Sequence, residues 1–292
     1  MTALSAVGKR RRLRHLMNTE SGRVVIVPVD DGLISLSKGL RNLRTKLEQL
    51  VSGKPDAILG FPGVFAHHQD LLGDVPQILN LTASTAHVDH TRKVLVGSVR
   101  QALKLDVDAV AVHVNITSKH ESQMLKTLGK VARQCDDTGM PLVAIMYPRS
   151  ESTDGDNNYI DLRKTDSGKF ADLVAHCARI GVELGASIVK TQYTGNAETF
   201  ARVVEACSPV PVVVAGGPFT ATRHILQVTH DVVSAGGAGV SFGRNVFDRP
   251  DARLLEAVKS LVHDMKSVEE VIEMYFGDEL SDKVENVNAT DK

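Results

Sequence analysis

Short apolar runs recur along the chain, and each is followed by a stretch of mixed polar and apolar residues. Several runs are apolar throughout, as expected for strands that protein covers on both faces. We predict eight strands, over residues 24–30, 57–60, 77–81, 109–114, 142–147, 187–193, 211–215 and 239–242. The interval between the second and third of these is short and only weakly helical in its pattern.

Eight strands that alternate with helices are typical of a closed parallel barrel, so the expected fold class is α/β, a (β/α)8 TIM barrel. The alternative is an open doubly wound sheet. The first predicted strand is not followed by a G-x-G-x-x-G pattern, which disfavours a dinucleotide-binding version of that sheet. We expect a single barrel with an N-terminal helix over residues 1–276 and a polar tail over residues 277–292.

A basic cluster precedes the first strand, where Lys9 and four arginines lie within six residues of one another. Leu13 and Leu16 are interleaved with this cluster. A nucleic-acid patch is one interpretation. We favour a solvated helix that packs beneath the barrel, because the rest of the chain offers no matching basic surface.

Composition narrows the class of protein further. Lys and Arg number 34 and Asp and Glu 35, for a net charge of −1, which gives no reason to expect nucleic-acid or membrane partners. The three widely spaced cysteines, at positions 135, 177 and 207, are typical of reduced thiols rather than a disulfide framework. The N-terminus lacks the apolar run of a signal peptide. We therefore expect a cytoplasmic protein.

Lys190 is the most informative polar residue, because it interrupts an apolar strand. Lysine is almost never fully buried without a partner. If the side chain points into the barrel, desolvation lowers the pKa of its amine, and a neutral amine can attack a ketone to form an iminium. The alternative is a lysine whose amine reaches solvent or pairs with a carboxylate.

Two further residues at predicted strand ends suit the proton transfers that Schiff-base chemistry needs. Tyr147 ends the fifth strand and supplies a phenolic donor, and Asp30 ends the first strand and can accept. Taken alone, Tyr147 is equally an aromatic cap on the core, and Asp30 a helix N-cap or turn residue. All three side chains fall on one rim of the predicted barrel, where barrel enzymes place their chemistry.

Glycines follow the last two strands, at Gly216-Gly217 and at Gly243, which precedes Arg244. This is the usual anion site of the barrel fold, where backbone N–H groups meet a phosphate. Arg244 can add a bidentate contact. Glycines at strand ends are also common turn residues.

Other chemistries have weaker support. The pairs His67-His68 and His87-x-x-His90 raise the possibility of a zinc-dependent aldolase, but no third ligand follows at a characteristic spacing, so we expect no metal site. The run 154–158 resembles a calcium loop but lacks the required Gly and Glu. We interpret residues 150–169 as a polar lid. A Ser/His/Asp hydrolase lacks the G-x-S-x-G elbow.

Six segments together resemble one family closely. The chain is similar to the 2-amino-3,7-dideoxy-D-threo-hept-6-ulosonate synthases, in the wider group that contains DhnA-type fructose-bisphosphate aldolases and the LsrF thiolase, from the N-terminal helix to about Tyr275. The segments are residues 27–32 (VPVDDG), 112–115 (VHVN), 140–149 (MPLVAIMYPR), 188–195 (IVKTQYTG), 213–218 (VVAGGP) and 243–247 (GRNVF).

The resemblance implies a class I aldolase without metal or cofactor, in which Lys190 forms the Schiff base, Tyr147 donates a proton and Asp30 accepts one. Such synthases transfer a three-carbon ketone unit, from a sugar phosphate or dihydroxyacetone phosphate, to L-aspartate semialdehyde, on the way to aromatic amino acids or aminohydroxybenzoate precursors. The resemblance also implies small-molecule partners and a homo-oligomer, which is often a decameric ring in this family. The expected substrate contacts are Asp31, Gly32, Leu33, Ile34, His113, Pro148, Arg149, Gly216, Gly217, Gly243 and Arg244.

One departure from the family concerns Asp31, because the family commonly has histidine between the aspartate and the glycine. A second carboxylate beside a phosphate site repels the substrate unless it is paired or protonated. The segment 33–36 is also unusually apolar, and residues 61–63 lack an expected basic residue. We predict an altered substrate choice with the chemistry retained. The alternatives are cleavage of fructose 1,6-bisphosphate, acyl transfer, or a non-catalytic barrel that binds a phosphorylated ligand.

Overall fold

The computed structural model describes residues 2–149 and 159–277. Most of the predicted polar tail, from residue 278 on, lies outside the described residues. So do residues 150–158, which include the segment compared above with a calcium loop and the first half of the predicted lid. The second half of that lid contains a helix, Ile160–Thr165, and the start of the helix that follows it.

Eight strands form a closed barrel in which every neighbouring pair is parallel. The expected (β/α)8 barrel is therefore confirmed, and the open doubly wound alternative is wrong. The order around the ring is β1-β10-β9-β8-β7-β6-β3-β2, which closes back on β1. The barrel strands are β1 Val24–Pro28, β2 Ala57–Gly60, β3 Gln77–Asn80, β6 Ala109–Ile116, β7 Leu142–Pro148, β8 Ile188–Thr191, β9 Val212–Ala215 and β10 Gly239–Ser241.

Helices lie between the strands on the outside of the barrel. The weakly predicted second interval does contain a helix, which begins at Pro62 and is kinked at His68 (φ −133°). The helices are α1 Ala3–Leu16, α2 Asp31–Ile34, α3 Leu43–Ser52, α4 Pro62–Leu72, α5 Val99–Lys104, α6 Glu121–Thr138, α7 Ile160–Thr165, α8 Ser167–Glu183, α9 Ala197–Cys207, α10 Thr222–Ser234, α11 Arg244–Phe247, α12 Arg253–Asp264 and α13 Val268–Tyr275, with a 3-10 turn at Lys38–Leu40.

A short antiparallel pair lies outside the barrel and was missed by the sequence analysis. It consists of β4, Thr82–Ala83, and β5, Val94–Leu95, which follow β3. Each strand has only two residues, so neither gives the alternation that predicts a strand. This hairpin projects from the end of β3 and carries the residues between 84 and 93 over that part of the barrel.

The barrel strands are apolar throughout because both of their faces are buried. Alternate residues point inward and form the inner cluster, for example Ile145 on β7 and Ile188 on β8, while their neighbours pack against the helices. Because side chains on a strand alternate with a period of two, the residues that follow these two by two positions also point inward. Those residues are Tyr147 and Lys190.

Helix α1 closes the amino-terminal end of the barrel, as the leucines in its basic sequence predict. Leu16 is 1% exposed and belongs to the inner cluster. Two cations of the basic cluster have contacts with the protein itself: Lys9 pairs with Asp136 at 3.0 Å, and Arg12 donates to the carbonyl of Gly139 at 3.2 Å. This part of the cluster therefore anchors the helix.

The three cysteines are free and buried, as expected. Burial raises the pKa of Cys135 and of Cys177 to about 12, so both thiols stay protonated at neutral pH. Within the described residues, no helix is both long and apolar enough to cross a membrane.

The position of Leu16 leads to a stability prediction. Leu16→Ala leaves a cavity at the base of the barrel and should lower the free energy of unfolding by about 2–5 kcal/mol. Leu4 is on the same helix but 86% exposed. Leu4→Ala is the matched control and should change the free energy by no more than about 0.5 kcal/mol. Urea titration followed by circular dichroism measures both, and equal effects would contradict the role of α1 as a plug.

Candidate active site

Lys190 lies inside the barrel near the carboxyl-terminal end of β8. It is in register with Ile145 on one neighbouring strand and Val213 on the other. Its side chain is 8% exposed. Burial lowers the pKa of the Lys190 amine, whereas the charges of Asp30 and Asp31 act in the opposite direction. The prediction of an inward, desolvated lysine is confirmed, and its amine is available in the neutral form more often than that of a surface lysine.

Tyr147 lies on the inner face of β7, one strand from Lys190. Burial raises the pKa of its phenol well above the ordinary value, so the group is a protonated donor at neutral pH. Its ring meets the ring of His113 edge-on, with 4.9 Å between the centroids. This edge-to-face contact restricts the orientation of the Tyr147 ring.

Asp30 follows β1 at the same end of the barrel and precedes α2. Its carboxylate accepts a hydrogen bond from Nδ2 of Asn80 at 2.8 Å. Asn80 is held in turn by Thr82, whose backbone N–H donates to Oδ1 of the amide at 3.1 Å. Asp30 is therefore oriented across the barrel mouth by the end of β3. The sequence analysis missed Asn80, although a buried amide at the end of an apolar strand points to such a role.

The three predicted catalytic side chains therefore share one end of the barrel. The charge of Asp30 favours the protonated form of both Lys190 and Tyr147. For Tyr147 it adds to the rise in pKa caused by burial, whereas for Lys190 it opposes the lowering caused by burial. In the described part of the chain, no direct hydrogen bond joins Lys190, Tyr147 and Asp30, so these side chains interact through their charges at a distance.

Asp31, the residue that departs from the family pattern, pairs with Arg244. Oδ2 of the carboxylate lies 3.2 Å from Nε of the guanidinium. Burial and the neighbouring charge of Asp30 raise the pKa of Asp31, and Arg244 partly offsets this effect. Arg244 was expected to contact phosphate, and in this structure its guanidinium already has an anionic partner.

The substrate contacts expected after the first strand lie in a short helix. Gly32, Leu33 and Ile34 belong to α2, the single helical turn that follows β1. The carbonyl of Ile34 accepts a hydrogen bond from the backbone N–H of Ala86 at 3.0 Å. Helix α2 is thus tied to the β4–β5 hairpin at the barrel mouth.

His113 is on the inner face of β6, beside Tyr147. Burial, reinforced by the nearby cations Lys93 and Arg149, lowers the pKa of the imidazole, so it is neutral at pH 7. Its Nε2 lies 3.0 Å from Oδ1 of Asn115. The ring is therefore fixed between an amide and a phenol, and both of these groups help to define the wall of the site.

Pro148 and Arg149 mark the end of β7. Pro148 is buried and is in register with Ile116 on β6. Burial lowers the pKa of the Arg149 guanidinium. The backbone N–H of Arg149 donates to the carbonyl of Ile116 at 2.8 Å, which fixes where the side chain leaves the strand.

The glycine loops after β9 and β10 are joined by Asn245. Its Nδ2 donates to the carbonyl of Gly216 at 3.0 Å, and its Oδ1 accepts from the backbone N–H of Thr220 at 2.9 Å. A Cβ at Gly216 would lie 2.9 Å from the ring of Phe242, and Gly217 has a φ of +67°. Both glycines are required by this close packing and turn, and the sequence analysis did not identify Asn245 as the residue that joins them.

Gly243 precedes α11 and lies next to the end of β1. A Cβ there would lie 3.1 Å from the carbonyl oxygen of Pro28. A larger residue would require β1 or the Arg244 loop to shift by a few tenths of an ångström. Gly243 thus keeps Arg244 within reach of Asp31.

A second buried lysine, Lys93, is at the barrel mouth and was missed. It follows the hairpin loop and is 6% exposed. Its Nζ donates to Oγ of Ser84 at 2.6 Å. In the sequence it lies in a short polar segment, Thr91-Arg92-Lys93, that gives no indication of burial.

The histidines considered as metal ligands lie in separate parts of the structure. His67 and His68 are on α4, whereas His87 and His90 are in the hairpin loop. Among residues 2–149 and 159–277, there is no group of three or more His, Cys, Asp or Glu side chains that could hold a metal ion.

Two characterised proteins resemble the chain over most of its length. A 2-amino-3,7-dideoxy-D-threo-hept-6-ulosonate synthase 1 from Archaeoglobus fulgidus is 39% identical, over 91% of this chain and 95% of the relative. A 2-amino-4,5-dihydroxy-6-oxo-7-(phosphonooxy)heptanoate synthase from Streptomyces griseus is 36% identical, over 87% and 89% respectively.

One solved structure that resembles the chain has a reaction intermediate bound to its own catalytic lysine. It is an archaeal fructose-1,6-bisphosphate aldolase with its catalytic lysine covalently bound to the carbinolamine intermediate of the substrate. The two chains share 26% identity with a TM-score of 0.76, over 87% of this chain and 99% of the other. A profile of DeoC/LacD family aldolases matches residues 24–249. The chain therefore belongs to the DeoC/LacD aldolase family.

Proposed function

We propose that this aldolase forms a Schiff base through Lys190 and joins a three-carbon ketone unit to L-aspartate semialdehyde, giving a seven-carbon amino keto acid. The observation that carries the proposal is the buried amine of Lys190, which shares the barrel mouth with the Tyr147 phenol and the Asp30 carboxylate. The names of the two characterised relatives support a product of this kind. Dihydroxyacetone phosphate and a sugar phosphate are both candidate donors.

The chemistry begins with attack of the neutral Lys190 amine on the donor ketone. The resulting carbinolamine loses its hydroxyl as water when Tyr147 supplies a proton, which leaves an iminium. With dihydroxyacetone phosphate, loss of a proton from the adjacent carbon gives an enamine. With a sugar phosphate, the bond from that carbon to the rest of the sugar breaks instead, its hydroxyl loses a proton, and the remaining carbons leave as an aldehyde. That carbon forms the new bond to the aldehyde carbon, whose oxygen takes up a proton, and water then hydrolyses the iminium to release the product and regenerate the amine.

Asp30 suits the role of the proton acceptor in these steps. Its hydrogen bond from Asn80 fixes the carboxylate without neutralising its charge. The carboxylate also stabilises the positive iminium through space. For a phosphorylated donor, we assign the phosphate to the Gly216-Gly217 and Gly243-Arg244 loops, which are adjacent because β9 and β10 pair.

Cleavage of fructose 1,6-bisphosphate is the second candidate reaction. The structural likeness to an archaeal fructose-1,6-bisphosphate aldolase favours it, and it uses the same iminium and enamine. The two candidates differ in the aldehyde, which carries a phosphate in one case and an amino acid group in the other. Product analysis therefore separates them.

We also propose a cytoplasmic homo-oligomer, with a decamer as the expected form, that supplies aromatic amino-acid or aminohydroxybenzoate synthesis. The resemblance to ring-forming family members supports the assembly. Light scattering coupled to size-exclusion chromatography tests it, and a monomer at micromolar concentration would contradict it.

Trapping of the iminium tests the role of Lys190. Borohydride reduction in the presence of dihydroxyacetone phosphate should add a stable adduct to Lys190 in the wild-type protein and none in Lys190→Arg, because a guanidinium stays protonated and cannot form an iminium. Peptide mass spectrometry locates the adduct. Addition of L-aspartate semialdehyde without borohydride should yield a seven-carbon product.

Two results would count against the proposal. Turnover retained in Lys190→Arg would exclude the iminium at this position, provided that circular dichroism shows the same fold. A trapped adduct with no seven-carbon product, but with triose phosphates released from fructose 1,6-bisphosphate, would favour the second candidate.

Removal of the Tyr147 hydroxyl tests the proton donor. Tyr147→Phe should lower kcat by about 10²–10⁴-fold, the usual contribution of a general acid or base. Tyr275→Phe is the matched control, because it removes a hydroxyl whose oxygen lies 2.9 Å from Ser260 Oγ, in the outer helical layer. Steady-state kinetics measures both variants. Equal loss of kcat in both would indicate a general destabilisation instead.

The pairing of Asp31 with Arg244 predicts a gain of affinity on substitution. Asp31→Asn releases Arg244 for the donor phosphate and should lower the KM for dihydroxyacetone phosphate by about two- to fivefold, as expected for a partly exposed ion pair. The KM for unphosphorylated dihydroxyacetone is the control and should change much less. An equal change for both donors would show that Asp31 acts on Lys190 and not on phosphate binding.

A further inference from the structure

Lys93 is a buried cation at the barrel mouth that the proposed reaction does not use. Its ammonium has three N–H donors, and its bond to the neutral Ser84 hydroxyl satisfies one of them. Oγ of Ser84 donates its own proton to the carbonyl of His90 at 2.8 Å. Ser84 therefore fixes the position of the Lys93 ammonium without neutralising its charge.

Lys93 lies close enough to Asp30 and Asp31 to interact with them electrostatically. Burial lowers its pKa to about 8, with a further lowering from Arg149, whereas Asp30 and Asp31 raise it. Lys93 is also the largest charge effect on the His113 imidazole. The lysine thus faces the wall that His113 and Arg149 form, and it is mostly protonated at neutral pH.

This wall lies across the barrel from the glycine loops. In the closed ring of eight strands, β6 is opposite β10 and β3 is opposite β9. Lys93 and Ser84 follow β3, and His113 is on β6. The glycine loops follow β9 and β10, and Lys190, on β8, lies between the two walls.

A three-carbon donor bound through its middle carbon has two arms. If the phosphate arm reaches the glycine loops beside β8, the carbon that forms the new bond faces the other wall. The aldehyde acceptor must therefore approach between Lys190 and the wall that carries Lys93.

We propose that Lys93 binds the carboxylate of the aldehyde acceptor. The inference rests on the proposed function, since it assigns the second substrate of the same reaction. An ammonium held in a desolvated wall recognises an anion more strongly than one in water. An aldehyde that carries a phosphate satisfies the same chemistry, and the choice between the two anions is part of the test.

The experiment compares acceptors that differ only in the anion. Succinic semialdehyde and butanal have the same carbon chain with and without a carboxylate, and glyceraldehyde 3-phosphate and glyceraldehyde form the phosphate pair. Each is assayed with dihydroxyacetone phosphate as donor, for the wild-type protein and for Lys93→Met. Arg92→Met removes the exposed neighbouring charge and is the matched control.

In Lys93→Met, kcat/KM for L-aspartate semialdehyde and succinic semialdehyde should fall about ten- to a hundredfold, the range for a charge-assisted hydrogen bond. The value for butanal should not change, and Arg92→Met should behave as the wild type. A fall confined to glyceraldehyde 3-phosphate would overturn the carboxylate assignment. Equal falls for all acceptors would show that Lys93 only supports the hairpin.

Borohydride trapping with the donor alone separates this inference from the proposed function. The Lys190 adduct should form equally in Lys93→Met and in the wild type, which also shows that the variant folds. No adduct in the wild type would reject the proposed function itself. A loss of adduct in Lys93→Met alone would mean that Lys93 serves the donor, contrary to the inference.

The wild-type protein gives an independent measurement. Lys93 binds an anion only while it is protonated, so the KM for succinic semialdehyde should rise as pH increases through about 8. The KM for butanal should not follow this change. A parallel pH dependence for both acceptors would contradict the role of Lys93.

Discussion

Burying an amine inside a closed barrel costs free energy, because the ammonium loses its water, and the site around Lys190 is organised by this cost. The strands beside β8 contribute apolar neighbours, Ile145 and Val213. The carboxylates Asp30 and Asp31 are near enough to oppose the loss of the proton through space. Unlike a direct ion pair, this arrangement leaves the amine able to lose its proton and react.

The remaining charges at the barrel mouth are divided between two walls. On the side of β1 and β10, Asp31 and Arg244 form an ion pair. On the side of β3 and β7, Lys93 and Arg149 each lower the pKa of the neighbouring His113. One wall therefore carries an ion pair, and the other carries the buried ammonium of Lys93. The two walls therefore attract the two anionic ends of a substrate with different strengths, which favours one orientation of the substrate over the other.

The period of the sequence pattern explains why the fold and the three catalytic candidates could be predicted. Each strand is a short apolar run, and a lysine within such a run has only the barrel interior or its edge to occupy. Tyr147 and Asp30 are recognisable for the same reason, since they end runs of this kind. The helix beneath the barrel follows from leucines placed between arginines.

Lys93, Asn80 and Asn245 could not be identified in this way, because their positions depend on tertiary contacts. Lys93 is buried only because the β4–β5 hairpin folds over the end of β3, and its two-residue strands give no periodic pattern. Asn80 and Asn245 act by joining segments distant in sequence, 50 residues apart in the bond from Asn80 to Asp30 and 29 in the bond from Asn245 to Gly216. Sequence patterns report which face of an element is buried, but they do not report which loop covers it.

The difference between the barrel strands and the loops that cover them also affects how substrate choice can change within this fold. Lys190 and Tyr147, the proposed reacting lysine and phenol, are held by strands that pair on both sides, so their positions tolerate little variation. The charged groups proposed to meet the substrate ends are on α2, the hairpin and the loop at Arg244, outside the strands of the barrel. Asp31 illustrates this freedom, because a single carboxylate in α2 pairs with Arg244 and neither residue lies on a strand. Differences in substrate are therefore expected to arise in these segments while Lys190 and Tyr147 stay in place.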